Sequence, residues 1–188
     1  MSPRRARYTR IERIVDVLLS SAPAGPPVSI ERMVREHGID LRKGDLGDVS
    51  GLLVRDGQGT VIGVNSTQSP VRQRFTIAHE FGHYMLHDEI SEHVDHAYSV
   101  GRRPATEQAE PRVYFRSEAS SQATDVEEIE ANFFAASLLM PRAMLDARNA
   151  VAAMDDDRAV RQLARDFNVS QHAMSLRLAN VYRQFAPF

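Results

Sequence analysis

The chain has 188 residues, 43% of them apolar and 26% charged. That is one globular domain of ordinary size, or one domain with a small appendage. Its 23 basic and 25 acidic residues leave a net charge of -2, which excludes a strongly cationic nucleic-acid coat and an acidic disordered tail. There is no cysteine, and Lys43 is the single lysine. A disulfide scaffold, a zinc ribbon, an iron–sulfur cluster, a cysteine nucleophile and a P-loop are therefore excluded, and any metal must be held by His, Asp and Glu.

The longest apolar stretch, 131–140, is broken by Asn132 and Ser137 and falls far short of the ~20 residues that a membrane span needs. The basic start (Arg4, Arg5, Arg7) and the IVDVLLSSAPA that follows resemble a signal peptide, but Glu12 and Asp16 interrupt the apolar region. Ile11, Ile14, Val15 and Leu18 recur at helical spacing, and Thr9-x-x-Glu12 has the form of a capping box. These residues predict a folded amphipathic helix and a cytoplasmic protein. The Arg-rich segment from Arg4 to Arg13 is read most simply as a frayed, solvated terminus.

A second helix is predicted over 29–37, with Ser29 as N-cap and Gly38 ending it. Residues 50–65 change period. Leu52, Leu53 and Val54 precede Asp56-Gly57-Gln58-Gly59, and Val61, Ile62 and Val64 follow, which predicts a β-hairpin. Ser69-Pro70 then opens a helix that runs to about His87, with Val71, Phe75, Ala78, Phe81, Gly82 and Met85 as its inner stripe. Residues 88–126 hold no steady period, except for a short strand predicted at Val113-Tyr114-Phe115. A strong helix follows from about Asp125 to Met140, closed by Pro141. The tail from about 155 to 184 predicts two helices separated by Asn168-Val169-Ser170, with Ser170 capping the second.

Five of the seven histidines fall between 79 and 96, and two of them lie in His79-Glu80-Phe81-Gly82-His83, an H-E-x-x-H pattern. On a helix, residues four apart lie one above the other, so two neutral imidazoles can hold one Zn²⁺ between them; Mn²⁺ is the alternative ion. Glu80, about 100° further round the helix, can act on a water at the open metal position without occupying the metal. Two His and one Glu at these offsets arise in about 2% of shuffled chains of this composition, so the pattern gains its weight from context. It lies on a predicted helix beside an apolar stripe, and Gly82 is expected to keep the metal face slim.

A catalytic zinc needs a third protein ligand and one open position. A third histidine of the metzincin type would demand Gly at 86 and His at 89, where the chain has Leu86 and Glu89. The alternative is a carboxylate on the helix that begins near 126. Glu128 and Asn132 are four apart and border the stripe of Ile129, Phe133, Ala136 and Met140. Glu128 can thus face a metal while Asn132 hydrogen-bonds an imidazole. Glu127 and Glu130 are read as solvated first-turn charges and stand next in line as ligands.

RFTIAHEFGHYMLH (74–87), followed by EIEANFFAASLLMP (128–141), resembles the ImmA/IrrE family of metallopeptidases, within the gluzincin-type zincins; the preceding VIGVNSTQSPVRQ also fits. The resemblance implies His79, His83 and Glu128 as metal ligands and Glu80 as general base. It also implies a cytoplasmic endopeptidase that cuts a helix-turn-helix repressor in a response to stress, DNA damage or mobile-element induction.

The expected fold is α+β: a zincin-like core (1–150) with a small antiparallel sheet, and a C-terminal helix-turn-helix-like portion (151–188). VRQLARDFNVSQHAMSLRL has the helix–turn–helix form, yet from Arg158 onward there are only five Arg and one acid. Packing against the core, or a grip on a protein substrate, is therefore preferred to DNA contact. His87, His93 and His96 are read as surface or helix-end histidines. Tyr114 and Arg116 suit oxyanion stabilisation by type. Two rival readings stand beside the enzyme: a regulatory module that docks a repressor or DNA with little proteolysis, and a structural metal site closed by His93 or His96.

Overall fold

A computed structural model describes residues 5–57, 59–87, 92–96 and 118–182. The chain orders as α1 (Tyr8–Ser20), α2 (Ile30–Glu36), β1 (Asp40–Gly44), β2 (Val49–Asp56), β3 (Gly59–Asn65), α3 (Pro70–Leu86), β4 (Glu92–His96), α4 (Glu118–Leu139), α5 (Arg142–Ala147), α6 (Asp157–Phe167) and α7 (Gln171–Tyr182). The fold is mixed α+β, as expected. The strand predicted at Val113–Phe115 lies outside the described residues, as do Tyr114 and Arg116. Part of the aperiodic stretch is structured, because β4 lies within it and α4 begins at Glu118, seven residues before the predicted start at Asp125.

The sheet is mixed rather than antiparallel. Its strand order is β1-β3-β2-β4. The predicted hairpin forms, with Leu53 opposite Ile62 and Asp56 opposite Gly59. β1 pairs parallel to β3, Asp40 opposite Val61 and Gly44 opposite Asn65. DLRKG has no alternating apolar pattern and its exposure alternates poorly. β1 is thus a strand made by pairing to β3 and by the helix before it, not by its own side chains. β4 pairs antiparallel to β2, with Asp95 opposite Gly51, so the outer strands of the sheet are β1 and β4.

Helix α3 begins as predicted, with Pro70 in the first turn, where its missing N–H costs nothing. Ser69 holds the N-cap backbone position without a side-chain cap; the Gln73 N–H bonds the Ser69 carbonyl at 2.9 Å instead. At the other end, Arg55 of β2 donates to the Tyr84 carbonyl at 2.6 Å and stacks over the Tyr84 ring at 4.7 Å. A cation thus meets the open carbonyls of the helix that carries the histidines.

Helix α1 starts earlier than the capping box at Thr9 implied. Arg7 is its N-cap residue and Thr9 lies inside the first turn. The register is set by a tertiary contact: the Arg7 backbone N–H and guanidinium are both taken by Glu130 on α4. Arg7 is therefore no part of a frayed terminus.

The core is one apolar cluster in which the sheet (Leu53, Ile62), α3 (Ile77, Phe81) and α4 (Phe134, Leu138) meet, all at 0% exposure. Helices α6 and α7 close one end. Asp156 caps α6 by accepting the Arg158 N–H at 2.8 Å, Asn168 leaves it in a left-handed conformation, and Ser170 caps α7 through the Ala173 N–H at 3.1 Å. Arg74 of α3 reaches the Asn168 carbonyl at 3.2 Å, and Arg177 of α7 donates to the Met140 carbonyl just past α4 at 3.1 Å. Burial lowers the Arg177 pKa to about 10. Its side chain is spent inside the protein.

Gly82 serves helix packing, not the slim metal face expected of it. A Cβ there would stand 3.2 Å from the Ala131 Cα and 3.1 Å from a Phe134 ring carbon. The backbone of α4 occupies the space a side chain would fill. Replacing Gly82 with Ala should therefore force α3 and α4 apart at a cost of ~1–3 kcal/mol despite the better helix propensity of alanine. Urea unfolding of Gly82→Ala measures this, and a stability equal to or above the parent contradicts the close approach.

Candidate metal centre

The predicted stripe of α3 turns His79 and His83 inward on one face, and both are buried. Their rings meet edge to face with centroids 4.7 Å apart. Helix α4 lies across them. The two histidine Nε2 atoms are 3.1 Å apart, Glu128 Oε2 is 3.4 Å from His79 Nε2, and Glu128 Oε1 is 3.3 Å from His83 Nε2. Three donor groups thus converge, and among the described residues this is the cluster of His and carboxylates able to hold a metal ion.

The donor chemistry fits a divalent ion such as zinc. Ligand atoms ~2.0–2.1 Å from a tetrahedral ion stand about 3.3–3.4 Å from each other. The three separations here lie within a few tenths of an ångström of that edge. The outer nitrogens of both rings are engaged elsewhere, which leaves the Nε2 atoms to face the centre. His79 Nδ1 is 3.1 Å from Asn132 Oδ1, and His83 Nδ1 is 3.1 Å from His87 Nδ1. Asn132 stands where the i, i+4 relation to Glu128 placed it.

Glu80 is wholly buried and points to the sheet side of α3. Gly51 of β2 makes room for it: a Cβ at Gly51 would collide with the Thr76 methyl and stand 3.3 Å from Glu80 Oε1. This glycine was not singled out by sequence, since its role depends on the strand crossing the helix at this residue.

Two expectations need correction. Glu130 is not a solvated first-turn charge. It lies three turns into α4, is 1% exposed, and accepts from Arg7 through the backbone N–H at 2.7 Å, Nε at 3.0 Å and a terminal nitrogen at 2.6 Å. Burial alone would raise its pKa, but the hydrogen bonds from Arg7, joined by that from His87, hold the carboxyl down at about 2. His87 does end α3 as predicted, but it is buried rather than on the surface, with Nε2 3.2 Å from Glu130 Oε2. Burial pushes its pKa below the ordinary value against the pull of Glu130. Arg7, His87 and Glu130 were missed as site residues because none of the three pairs is near in sequence. Glu127 is half-buried, and His93 and His96 lie on β4 opposite Leu53 and Val49, with side chains outside the described residues.

The ligand-bearing faces continue into a groove. One turn and two turns from His79 on the same face are Phe75 and Val71; one, two and three turns from Glu128 are Asn132, Ala136 and Met140. These residues, with Leu176 of α7 opposite them, line a cavity of about 580 Å³. Among the described residues its polar lining includes Arg72, His172 and Arg177 but no carboxylate.

A helix carrying H-E-x-x-H is crossed by a second helix that brings a glutamate to both histidines beside a small sheet, an arrangement compatible with a metallopeptidase domain. The sequence matches the family model of the IrrE N-terminal-like domain, Peptidase M78, over residues 34–179, and the chain belongs to that family. Its fold is similar to that of a Mycobacterium tuberculosis transcriptional regulator, with a TM-score of 0.56 and 15% identity over 91% of this chain and 46% of the other. At that identity the likeness concerns the fold, and this chain spans a little under half of that protein. No curated protein matches the sequence. Among the described residues no helix is long and apolar enough to cross a membrane.

The Arg7–Glu130 contact carries a stability prediction. A solvated Glu130 would cost next to nothing to remove, whereas Glu130→Ala here should cost on the order of 2–3 kcal/mol. That is below the ~3–5 kcal/mol of a fully enclosed pair, because Arg7 is 35% exposed. A carboxyl held at about 2 instead of the ordinary 4.5 adds stability that is complete above the ordinary value and lost as the pH falls toward 2. Denaturant unfolding should therefore separate Glu130→Ala from the parent widely at pH 7 and narrowly near pH 2.5. Equal separation at both would show that the charge is immaterial.

Proposed function

We propose that the protein is a zinc-dependent endopeptidase in which His79, His83 and Glu128 hold the metal and Glu80 is the general base. The observation that carries this reading is the triangle of two imidazole nitrogens and one carboxylate on the H-E-x-x-H helix of a Peptidase M78 chain. When bound, the metal polarises the scissile carbonyl and makes a water nucleophilic near neutral pH. Glu80 takes a proton from the attacking water as the new C–O bond forms, and then passes it to the amine nitrogen as the carbonyl re-forms and the peptide C–N bond breaks. Asn132 holds His79 in the tautomer whose Nε2 is free for the metal.

The substrate is a polypeptide, and by membership of this family a helix-turn-helix transcriptional repressor, cut in a stress response in the cytoplasm. A segment pairing along the free edge of the outer strand β4 would lie one strand away from β2, whose Gly51 leaves room for Glu80. Apolar side chains flanking the cut bond would enter the groove between α3, α4 and α7. Arg72 and His172 in its lining favour a segment that also carries a carboxylate. Residues 1–150 then form the zincin-like metallopeptidase unit, and the helix-turn-helix-like helices of 151–188 grip the substrate rather than read DNA. The burial of Arg177 supports this, since it removes one cation from any phosphate-binding face.

The decisive test is co-expression with the neighbouring repressor gene, followed by mass analysis of fragments. Glu80→Gln should keep its metal and lose turnover. His79→Ala, His83→Ala and Glu128→Ala should each lose the metal by elemental analysis. Full metal in Glu128→Ala would move the third ligand, and full metal without cleavage in the parent would favour the regulatory docking module instead.

Asn132→Ala should weaken metal affinity or activity by about 10–100-fold, less than loss of a ligand. Leu176→Asp, placed in the groove far from the ligands, should raise KM for the repressor while metal content stays whole. An unchanged KM would place the substrate elsewhere.

A further inference from the structure

We propose that Arg7, Glu130 and His87 form a positioning chain that fixes the ring of His83, so that the N-terminal end of α1 sets how tightly the site holds its metal. This rests on the metal reading above. It goes beyond it because Arg7 lies outside residues 34–179, the part of the chain the family model matches.

The argument follows the protons. His83 Nε2 faces His79 Nε2 at 3.1 Å and Glu128 Oε1 at 3.3 Å. A nitrogen that gives its lone pair to a cation carries no proton, so the ring proton of His83 sits on Nδ1. Among the described contacts, that N–H is in reach of His87 Nδ1 at 3.1 Å. It can accept only if His87 carries its own proton on Nε2. His87 Nε2 is 3.2 Å from Glu130 Oε2, an acceptor that the Arg7 backbone N–H (2.7 Å) and guanidinium (2.6 Å) secure from the other side. One tautomer of each ring therefore gives every N–H in the chain an acceptor. The opposite tautomer of His87 would set two N–H groups against each other.

These partners are set apart from bulk solvent, because His83, His87 and Glu130 are each less than 10% exposed. His79 differs: its Nδ1 is served by Asn132 in a single step within α4. The two ligand histidines are thus oriented from different places, one from the metal-bearing helix pair and one from α1. Loss of Arg7 would leave the Glu130 carboxylate held by His87 alone, free to turn away from the position that holds His87 in its accepting orientation.

The test measures zinc affinity of the full-length protein by competition with a chromophoric chelator, using Zn²⁺ alone as the probe. Folding is followed by circular dichroism, and site geometry by the visible spectrum of the Co²⁺ form. His87→Leu, which offers no acceptor, should bind zinc about 10–100-fold more weakly and alter the cobalt bands. His87→Gln should recover most of the affinity, since its carbonyl can accept from His83 and its amide can donate to Glu130. Arg7→Met, which keeps an apolar stem, should show a smaller loss in the same direction. Folded His87→Leu and Arg7→Met proteins with parental affinity and spectra overturn the proposal. So does a His87→Gln as weak as His87→Leu, for then ring packing and not hydrogen bonding is at work. If His87→Leu fails to fold, Arg7→Met decides alone. A parent chain that takes up no zinc removes the metal reading together with this proposal, whereas uptake by the parent with unaffected variants removes this proposal only.

Discussion

The contact on which the site depends is the close approach of α3 and α4 at Gly82. The two imidazoles come from one helix and the carboxylate from the other, so their separations of 3.1–3.4 Å are only as definite as the distance between the helix axes. Gly82 fixes that distance by admitting the Ala131 backbone to where a side chain would be. Phe81 and Phe134, with ring centroids 5.8 Å apart, lock the rotation of the pair. On the other side of α3, Gly51 does the same for β2 against Glu80. A missing side chain on each flank of one helix thus lets a glutamate-bearing helix and a strand both come close to the reacting face.

Charge is placed around this helix with similar economy. Its C-terminal carbonyls face Arg55, and its C-cap residue, His87, leads to Glu130 and Arg7. A buried carboxylate without a cation would be neutralised or would unfold its surroundings. Here the cation comes from the N-cap residue of α1, whose backbone N–H at a helix start is itself drawn to negative charge. The same contact therefore starts α1, keeps Glu130 ionised and ties the first helix to the fourth.

What the sequence made legible follows from which interactions are local. The H-E-x-x-H helix, its Ser69-Pro70 start and the Asp56–Gly59 hairpin are written in neighbouring residues and could be placed to within a residue or two. Glu128 and Asn132 were legible because the period of 3.6 fixes their face relative to an apolar stripe. Glu130 was misread by the same reasoning: a charge beside a stripe looks solvated unless its partner is known, and Arg7 lies 123 residues away. Thr9 failed as a cap for the same cause. β1 and the role of Gly51 depend on strand pairing and helix crossing, which leave no trace in a five-residue window. The parallel β1–β3 pair could not be expected from DLRKG, whose polar residues make a strand only because β3 offers an edge.

The ligand face and the groove are one surface, and that is a consequence of helix geometry rather than of a separate pocket. Every fourth residue from His79 toward the start of α3, and every fourth from Glu128 toward the end of α4, falls on the same side of an antiparallel pair. The chemistry changes along that line from imidazole and carboxylate, through Asn132, to Phe75, Ala136 and Met140. Under the proposed function, a chain segment held at the His79–Glu128 end would have its next apolar side chains directed along this line, and α7 supplies the opposite wall with Leu176. Because Arg177 anchors α7 to the carbonyl that follows α4, the wall is fastened to the same helix that carries Glu128. The groove wall and the helix that brings Glu128 to the two histidines are therefore joined at this point.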